Sequence, residues 1–315
     1  MLSRTADHLF WMSRYIERAE NLARMLQVNV RTSLLPRPPE EVDQGWAGTL
    51  AIIGQLEAYR DRGGAISPDR VVRFVAFDPH NPGSIVANLR LARENARAVR
   101  GTLTSELWET INSTWLELAA RSRHELSTDG LLDFLEWIKL RSHLARGVTL
   151  GTMLRDEGFD FTRIGTFLER ADNTARILDV QFRMLAPQGI AATTAVDYYR
   201  YSALLFSVSG FEIYRKVYRD RITPLRVAEL LVLRPDTPRS LHRCVSEIDA
   251  HLQSVANQQA GETLRRAGEL HALLRYGRID VIAEDGFHEF LADFMGRVAD
   301  LGRRIARDFL VSTVN

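Results

Sequence analysis

The chain has 315 residues, 45% hydrophobic and 26% charged, enough to bury a sizeable core in one large or two ordinary domains. Its 41 lysines and arginines balance 40 acidic residues for a net charge of +1, and no dense basic run appears, which argues against a nucleic-acid surface. The one cysteine, Cys244, excludes an intrachain disulfide and a Cys-rich metal site; without a signal-like start or a bilayer-length apolar run, the expectation is a cytoplasmic protein away from membranes.

Apolar residues recur with helical rather than strand periodicity, so the expected fold is all-α. The periodicity predicts helices over 8–33, 44–62, 68–76, 83–101, 104–122 and 130–147, then over 160–186, 195–220, 224–232, 239–257, 260–276 and 286–311. Breakers separate them: Pro36-Arg37-Pro38-Pro39, Asp61-Arg62-Gly63-Gly64 and Pro187-Gln188-Gly189 read as loops. In FDPHNPGSI, Asn81 before Pro82 offers an N-cap, with Ser84 as a competing cap.

The two sets of helices correspond. SRYIERAENLARMLQVNVR at 13–31 returns as GTFLERADNTARILDVQFR at 165–183. Glu57, Tyr59 and Arg60 return as Glu212, Tyr214 and Arg215, and Pro79, Pro82 and Ser84 as Pro235, Pro238 and Ser240. Asp129-Gly130 and Phe134-Leu135 return as Asp285-Gly286 and Phe290-Leu291. Ordered matches at a nearly constant offset indicate a tandem duplication, with halves 1–152 and 153–315 of about six helices each. Such halves are expected to pack as a pseudo-twofold helical bundle. Cys244 falls on the copy position of Asn88 and reads as a packed helix thiol.

On the first helix Trp11, Tyr15, Ala19, Leu22 and Leu26 form an arc expected to face the core. Arg14, Glu17, Arg18, Asn21 and Arg24 lie on the other side. The second copy keeps Glu169, Arg170, Asn173 and Arg176 while its packed positions drift, which suggests a stripe that points inward or into a cleft. A buried ion-pair and amide network is one reading, because a carboxylate out of water needs the fork of donors that arginine supplies. A polar cavity in which Arg18 and Arg170 hold a carboxylate or phosphate is another. Metal binding is disfavoured: no E-x-x-H accompanies the glutamates, and the adjacent arginines oppose a cation.

Weaker candidates are Glu94, Asn95 and Arg97, which the second copy does not preserve, and the turn residues His80, Asn81 and Ser84, which could offer helix-terminal amides to an anion or serve only as caps. His143 and His242 stand isolated among arginines and read as surface or internally satisfied histidines. There is no P-loop, GxSxG, HExxH or strand-borne GxGxxG, and no cofactor is expected.

RYIERAEN and FLERADN, together with FDPHNPGSI, resemble the alpha-E family of all-helical bacterial proteins named for a Glu-Arg motif, over essentially the whole chain. The resemblance implies the company of a circularly permuted ATP-grasp protein and a transglutaminase-like peptidase, often with the proteasome-like peptidase Anbu, in a system that makes or attaches and then trims a small peptide. It places the signature on Glu17, Arg18, Asn21, Glu169, Arg170 and Asn173 without assigning them a role. The lead expectation is an accessory or scaffold subunit that uses the stripes to hold the ATP-grasp partner or an acidic peptide. The alternatives are an enzyme at the repeat interface with Glu17 or Glu169 as general base, and a purely structural homodimer with a large exposed apolar patch.

Overall fold

The computed structural model describes residues 1–35, 39–62, 65–121, 127–185 and 195–310. They form α-helices α1 to α14 and one π-helical turn, with no strand among the described residues. Of the expected loops, 36–38, 63–64 and 187–189 lie outside the described residues, Asp61 and Arg62 form a turn as expected, and Pro39 instead begins α2, where a proline lacks no hydrogen bond the first turn would make. The chain divides into two compact units, Met1–Thr166 and Phe167–Asn315.

The first unit holds α1 (Ser3–Ser33), α2 (Pro39–Ile52), α3 (Leu56–Arg60), α4 (Pro68–Val72), the π turn Arg73–Phe77, α5 (Ile85–Ala98), α6 (Ser105–Arg121), α7 (Thr128–Thr152) and the first turns of α8 (Glu157–Leu185). Helix α1 lies along α5 and α7, and α6 packs on both of those. Leu9, Phe10, Leu26, Leu50, Ile85, Leu107, Leu135 and Ile138 are buried between these helices. The second unit holds the rest of α8, α9 (Ala195–Ser207), α10 (Phe211–Tyr218), α11 (Pro224–Val232), α12 (Leu241–Ser254), α13 (Gly261–Tyr276) and α14 (Ile279–Phe309). Its consecutive helices α12, α13 and α14 pack in succession around Cys244, Ile248, Leu270, Leu291, Phe294 and Ile305.

Helix periodicity located the elements, and local backbone chemistry moved their ends. The helix expected over 44–62 is broken: Gly54 takes φ 68°, and the Gln55 amide bonds back to the Leu50 carbonyl at 2.8 Å, closing α2 before α3 starts. The helix expected over 195–220 is broken in the same way, with Ser209 at φ 54° and the Gly210 amide on the Leu205 carbonyl at 2.7 Å. Over 68–76 the helix changes to π geometry after Val72. The last segment, α14, begins at Ile279 but is interrupted at Gly286, whose φ of 115° is non-helical and open to glycine, so a helix boundary does fall where the last helix was expected to start.

The turn before α5 corrects one expected cap. Ser84 caps the helix, accepting from the Ala87 amide at 3.2 Å, while its hydroxyl donates to the Asp78 carbonyl at 2.7 Å. Asn81 instead locks the preceding turn, donating to the Phe74 carbonyl and the Gln55 side chain and accepting from the Gly83 amide. Ser240 caps α12 as Ser84 caps α5, accepting from the Arg243 amide at 3.0 Å.

A second correction concerns α1. Trp11 and Tyr15 are only half-buried, while Glu17 and the whole run from Ala19 to Gln27 are buried. A helix covered on several sides has no single core arc, so the amphipathic reading misplaced its wet face.

Gly165 marks the closest approach of α8 to α1. A methyl group there would collide with the Phe10 carbonyl oxygen and the Ser13 hydroxyl. Gly165→Ala is therefore expected to destabilise the protein by about 1–3 kcal/mol, read as a lower urea midpoint, because backbone cannot move aside as a side chain can. Gly101→Ala, where nothing lies within 4 Å, is the control and should leave the midpoint unchanged or raised.

Candidate functional site

The first Glu-Arg motif lies in a polar ladder between α1 and α7. The rungs on α1 are Glu17, Glu20, Arg24 and Gln27, all buried and spaced by three and four residues so that they share one stripe. The facing residues on α7 are Arg146, His143, Ser142, Lys139 and Glu136. Glu20 has no exposed surface and is the hub. Its Oε1 accepts from Arg24 Nε at 2.9 Å and Nη2 at 2.8 Å, and its Oε2 accepts from Ser142 Oγ at 2.7 Å and from Arg146 Nη2. The same Arg146 Nη2 reaches Glu17 Oε2 at 3.1 Å, so one guanidinium ties both carboxylates to α7.

Chemistry assigns the protons along the ladder. Arg24 Nη2 lies 2.8 Å from His143 Nε2, and since a guanidinium has no acceptor, His143 Nε2 accepts. At the far end Lys139 Nζ donates to Gln27 Oε1 at 2.8 Å and Gln27 Nε2 to Glu136 Oε2 at 2.9 Å. Lys139 and then Gln27 hold the Glu136 carboxyl below the usual carboxylate range.

The remaining stripe residues have separate settings. Asn21 is buried, and Arg14 and Arg18 are half-buried. Arg14 lies over the Trp11 ring at 4.8 Å and Arg18 over the Tyr15 ring at 5.8 Å. In the second motif Glu169 and Arg170 are buried, Asn173 is half-buried and Arg176 is exposed. Arg170 covers the Phe167 ring at 5.1 Å and donates to the Pro238 carbonyl at 3.3 Å, holding the turn that leads into α12.

The weaker candidates do not converge on a site. Glu94 is exposed and paired with Arg93 and Arg97. Asn95 bonds His8 Nδ1 at 2.9 Å. The exposed His80 is fastened by its backbone to Asp78, and Asn81 and Ser84 are spent within the turn. His143 is not isolated, as it contacts Arg24 and Glu20.

A cavity of about 30 Å³ lies beside Glu17 and Arg146, with Ser13, Thr149, Thr162, Arg163 and Thr166 in its wall. This suits ordered water and is far below the several hundred Å³ of a typical ligand site. No cluster of three or more His, Cys, Asp or Glu residues among the described residues is placed to hold a metal.

Sequence reasoning missed Glu20, Gln27, Ser142 and Arg146, and took His143 to be isolated. The heptad-like spacing of 17, 20, 24 and 27 was a visible signal, but only the packing of α7 supplied the other half. At the positions 156 further on, α14 carries Ala292, Met295, Val298, Ala299 and Gly302 in place of Glu136, Lys139, Ser142, His143 and Arg146. The ladder therefore has no equivalent on α14. Asp172, the counterpart of Glu20, pairs with Arg176 near the surface at 2.7 Å.

Glu20→Ala is expected to cost about 3–5 kcal/mol, because it leaves the buried Arg24 and the half-buried Arg146 without their shared carboxylate. Asp172→Ala should cost less than about 1 kcal/mol, as for a partly exposed ion pair. Urea unfolding of the two variants measures the contrast, and equal losses would contradict the ladder.

A profile of the Alpha-E family, described as a predicted alpha-helical domain with a conserved ER motif, matches residues 1–310. Among curated proteins the chain is similar to uncharacterised proteins of Mycobacterium bovis and Mycobacterium tuberculosis, 26% identical over 330 residues. A second Mycobacterium tuberculosis protein, from strain H37Rv, matches to the same extent. The alignments cover 98% of this chain and 36% of the relatives, so the chain spans about a third of their length. No solved structure matches. With the Glu-Arg motif in place on α1 and α8 and a family match over nearly its whole length, the chain belongs to the Alpha-E family.

Proposed function

We propose that the chain is a helical scaffold subunit that docks a circularly permuted ATP-grasp partner in the cytoplasm, in a system for peptide synthesis or tagging that also includes a transglutaminase-like peptidase and, in some settings, Anbu. The observation that carries this reading is an exposed apolar seam on α7. Leu140, Leu144, Gly147 and Gly151 follow one another at intervals of four, three and four residues, and all are exposed. That is the spacing with which one helix offers a continuous face to another, and the glycines let a partner backbone come close.

The polar ladder supports the same reading. It binds a neighbouring side of α7, through Ser142, Arg146 and Lys139, to α1, and so holds the seam outward on a rigid helix. The Glu17 carboxylate is engaged by Arg146 beside a water-sized cavity, an arrangement suited to architecture more than to a general base. In the relatives the matching region makes up 36% of the polypeptide, so there it works joined to further chain. A tandem duplication accounts for the equivalent caps at Ser84 and Ser240 and the equivalent breaks at Gly54 and Ser209.

Leu144→Glu tests the seam. Placing a charge on it should weaken co-purification with the ATP-grasp partner by about 10- to 100-fold, the equivalent of losing one buried leucine, roughly 1.5–3 kcal/mol, with an unchanged circular dichroism spectrum and melting temperature. Gly147→Ala, with open space around its Cβ, should stabilise the isolated chain by about 0.5–1 kcal/mol and still weaken the complex. Retention of full binding by both variants would refute the reading. A chain that light scattering finds dimeric, and that Leu144→Glu makes monomeric, would assign the seam to self-association.

A further inference from the structure

His242 does not stand among arginines alone, because the second unit brings His271 of α13 against it, with ring centres 5.6 Å apart and planes tilted by 55°. Each ring is fixed by an oxygen on its Nδ1 side. His242 Nδ1 lies 2.7 Å from the Leu233 carbonyl, and His271 Nδ1 lies 2.9 Å from Asp249 Oδ2. A carbonyl can only accept, so His242 carries its proton on Nδ1, and an ionised Asp249 sets the same tautomer for His271. In both neutral rings the lone pair is then on Nε2, and neither Nε2 makes a hydrogen bond among the described residues.

The carbonyl that engages His242 belongs to Leu233, the residue that closes α11. Asp249 is seven residues beyond His242 on α12, about 10 Å along the axis. The His271 ring sits between them, close to His242 on one side and bonded to Asp249 on the other. Each Nδ1 is thus engaged by an oxygen, which leaves the Nε2 of each of two neighbouring rings as the atom available to a cation.

We infer that His242 and His271 form a two-histidine site for a divalent transition cation such as Zn²⁺, bound through both Nε2 atoms with water completing the coordination. Metal-nitrogen bonds of about 2.0–2.1 Å at a tetrahedral angle put two imidazole centres roughly 5.4 Å apart, close to the spacing here. The outer oxygens are the partners that metal-ligating histidines ordinarily use: one carboxylate and one backbone carbonyl fix the tautomer and raise ligand basicity. His242 is buried while His271 is partly exposed, which gives the cation a way in. The site involves none of the Glu-Arg residues and stands independently of the proposed docking role.

The test uses the full chain without a histidine tag. Zn²⁺ is titrated against a chromophoric chelator, with Co²⁺ absorption as a second readout of the ligand set. The expected result is one Zn²⁺ per chain, an affinity at least tenfold lower in His271→Asn and in His242→Asn, and about tenfold lower in Asp249→Asn through its effect on His271. His271 is partly exposed, so His271→Asn carries the test if the buried His242 variant does not fold. Absence of stoichiometric Zn²⁺ binding at micromolar protein, or binding that His271→Asn leaves unchanged, overturns the assignment. So would a nitrogen-15 spectrum of the histidines that shows the two rings sharing a proton and unaltered by Zn²⁺.

Discussion

The contact on which the first unit most depends is the pair of buried carboxylates, Glu17 and Glu20, gathered on one guanidinium of Arg146. Removing a carboxylate from water costs several kcal/mol, which is recovered only when donors of good geometry surround it. Glu20 meets that condition with Arg24, Arg146 and Ser142. Leucines would stabilise such a helix contact equally well but tolerate sliding. Carboxylate and guanidinium do not, since a shift of one residue on either helix would strand both charges. The ladder thus fixes the register of α7 against α1, and with it which side of α7 faces out.

That register gives the exposed seam its meaning. Isolated surface leucines are ordinary in a folded protein, but four- and three-residue intervals from Leu140 to Gly151 on a helix held in place by charge are not scattered exposure. One side of the helix is spent on internal polar order and a neighbouring one is left apolar. The second unit organises its helices differently. Its buried Glu-Arg arginine covers Phe167 and holds the turn before α12, its Asp172 pairs near the surface, and its polar cluster is the histidine pair on α12 and α13. The two units have thus placed their ionisable groups in different contacts.

Much of the architecture was legible in the chain. Apolar periodicity located the helices, and glycine, proline and serine marked many of their ends. The breaks at Gly54 and Ser209 were not legible, because apolar periodicity continues across them and the left-handed residue in one case is a serine. Among the candidate residues, the inward direction expected of the stripe holds for Glu17, Asn21, Arg24, Glu169 and Arg170 and not for Arg176. Asn81 and Ser84 proved to be turn chemistry, and Glu94 and Arg97 an exposed ion pair.

The sequence by itself determined the all-helical class and the Glu-Arg signature and narrowed the cap of α5 to Asn81 or Ser84, because these depend on residues within a few positions of one another. Only the tertiary structure decided that Glu20 outranks Glu17 as the hub, that Arg146 and Ser142 complete it, and that His242 meets His271. Each of those contacts joins separate helices, across 122 to 129 residues for Ser142 and Arg146. A helix can declare from its own spacing which residues share a face, but the partner that satisfies a buried charge is chosen by how the helices pack.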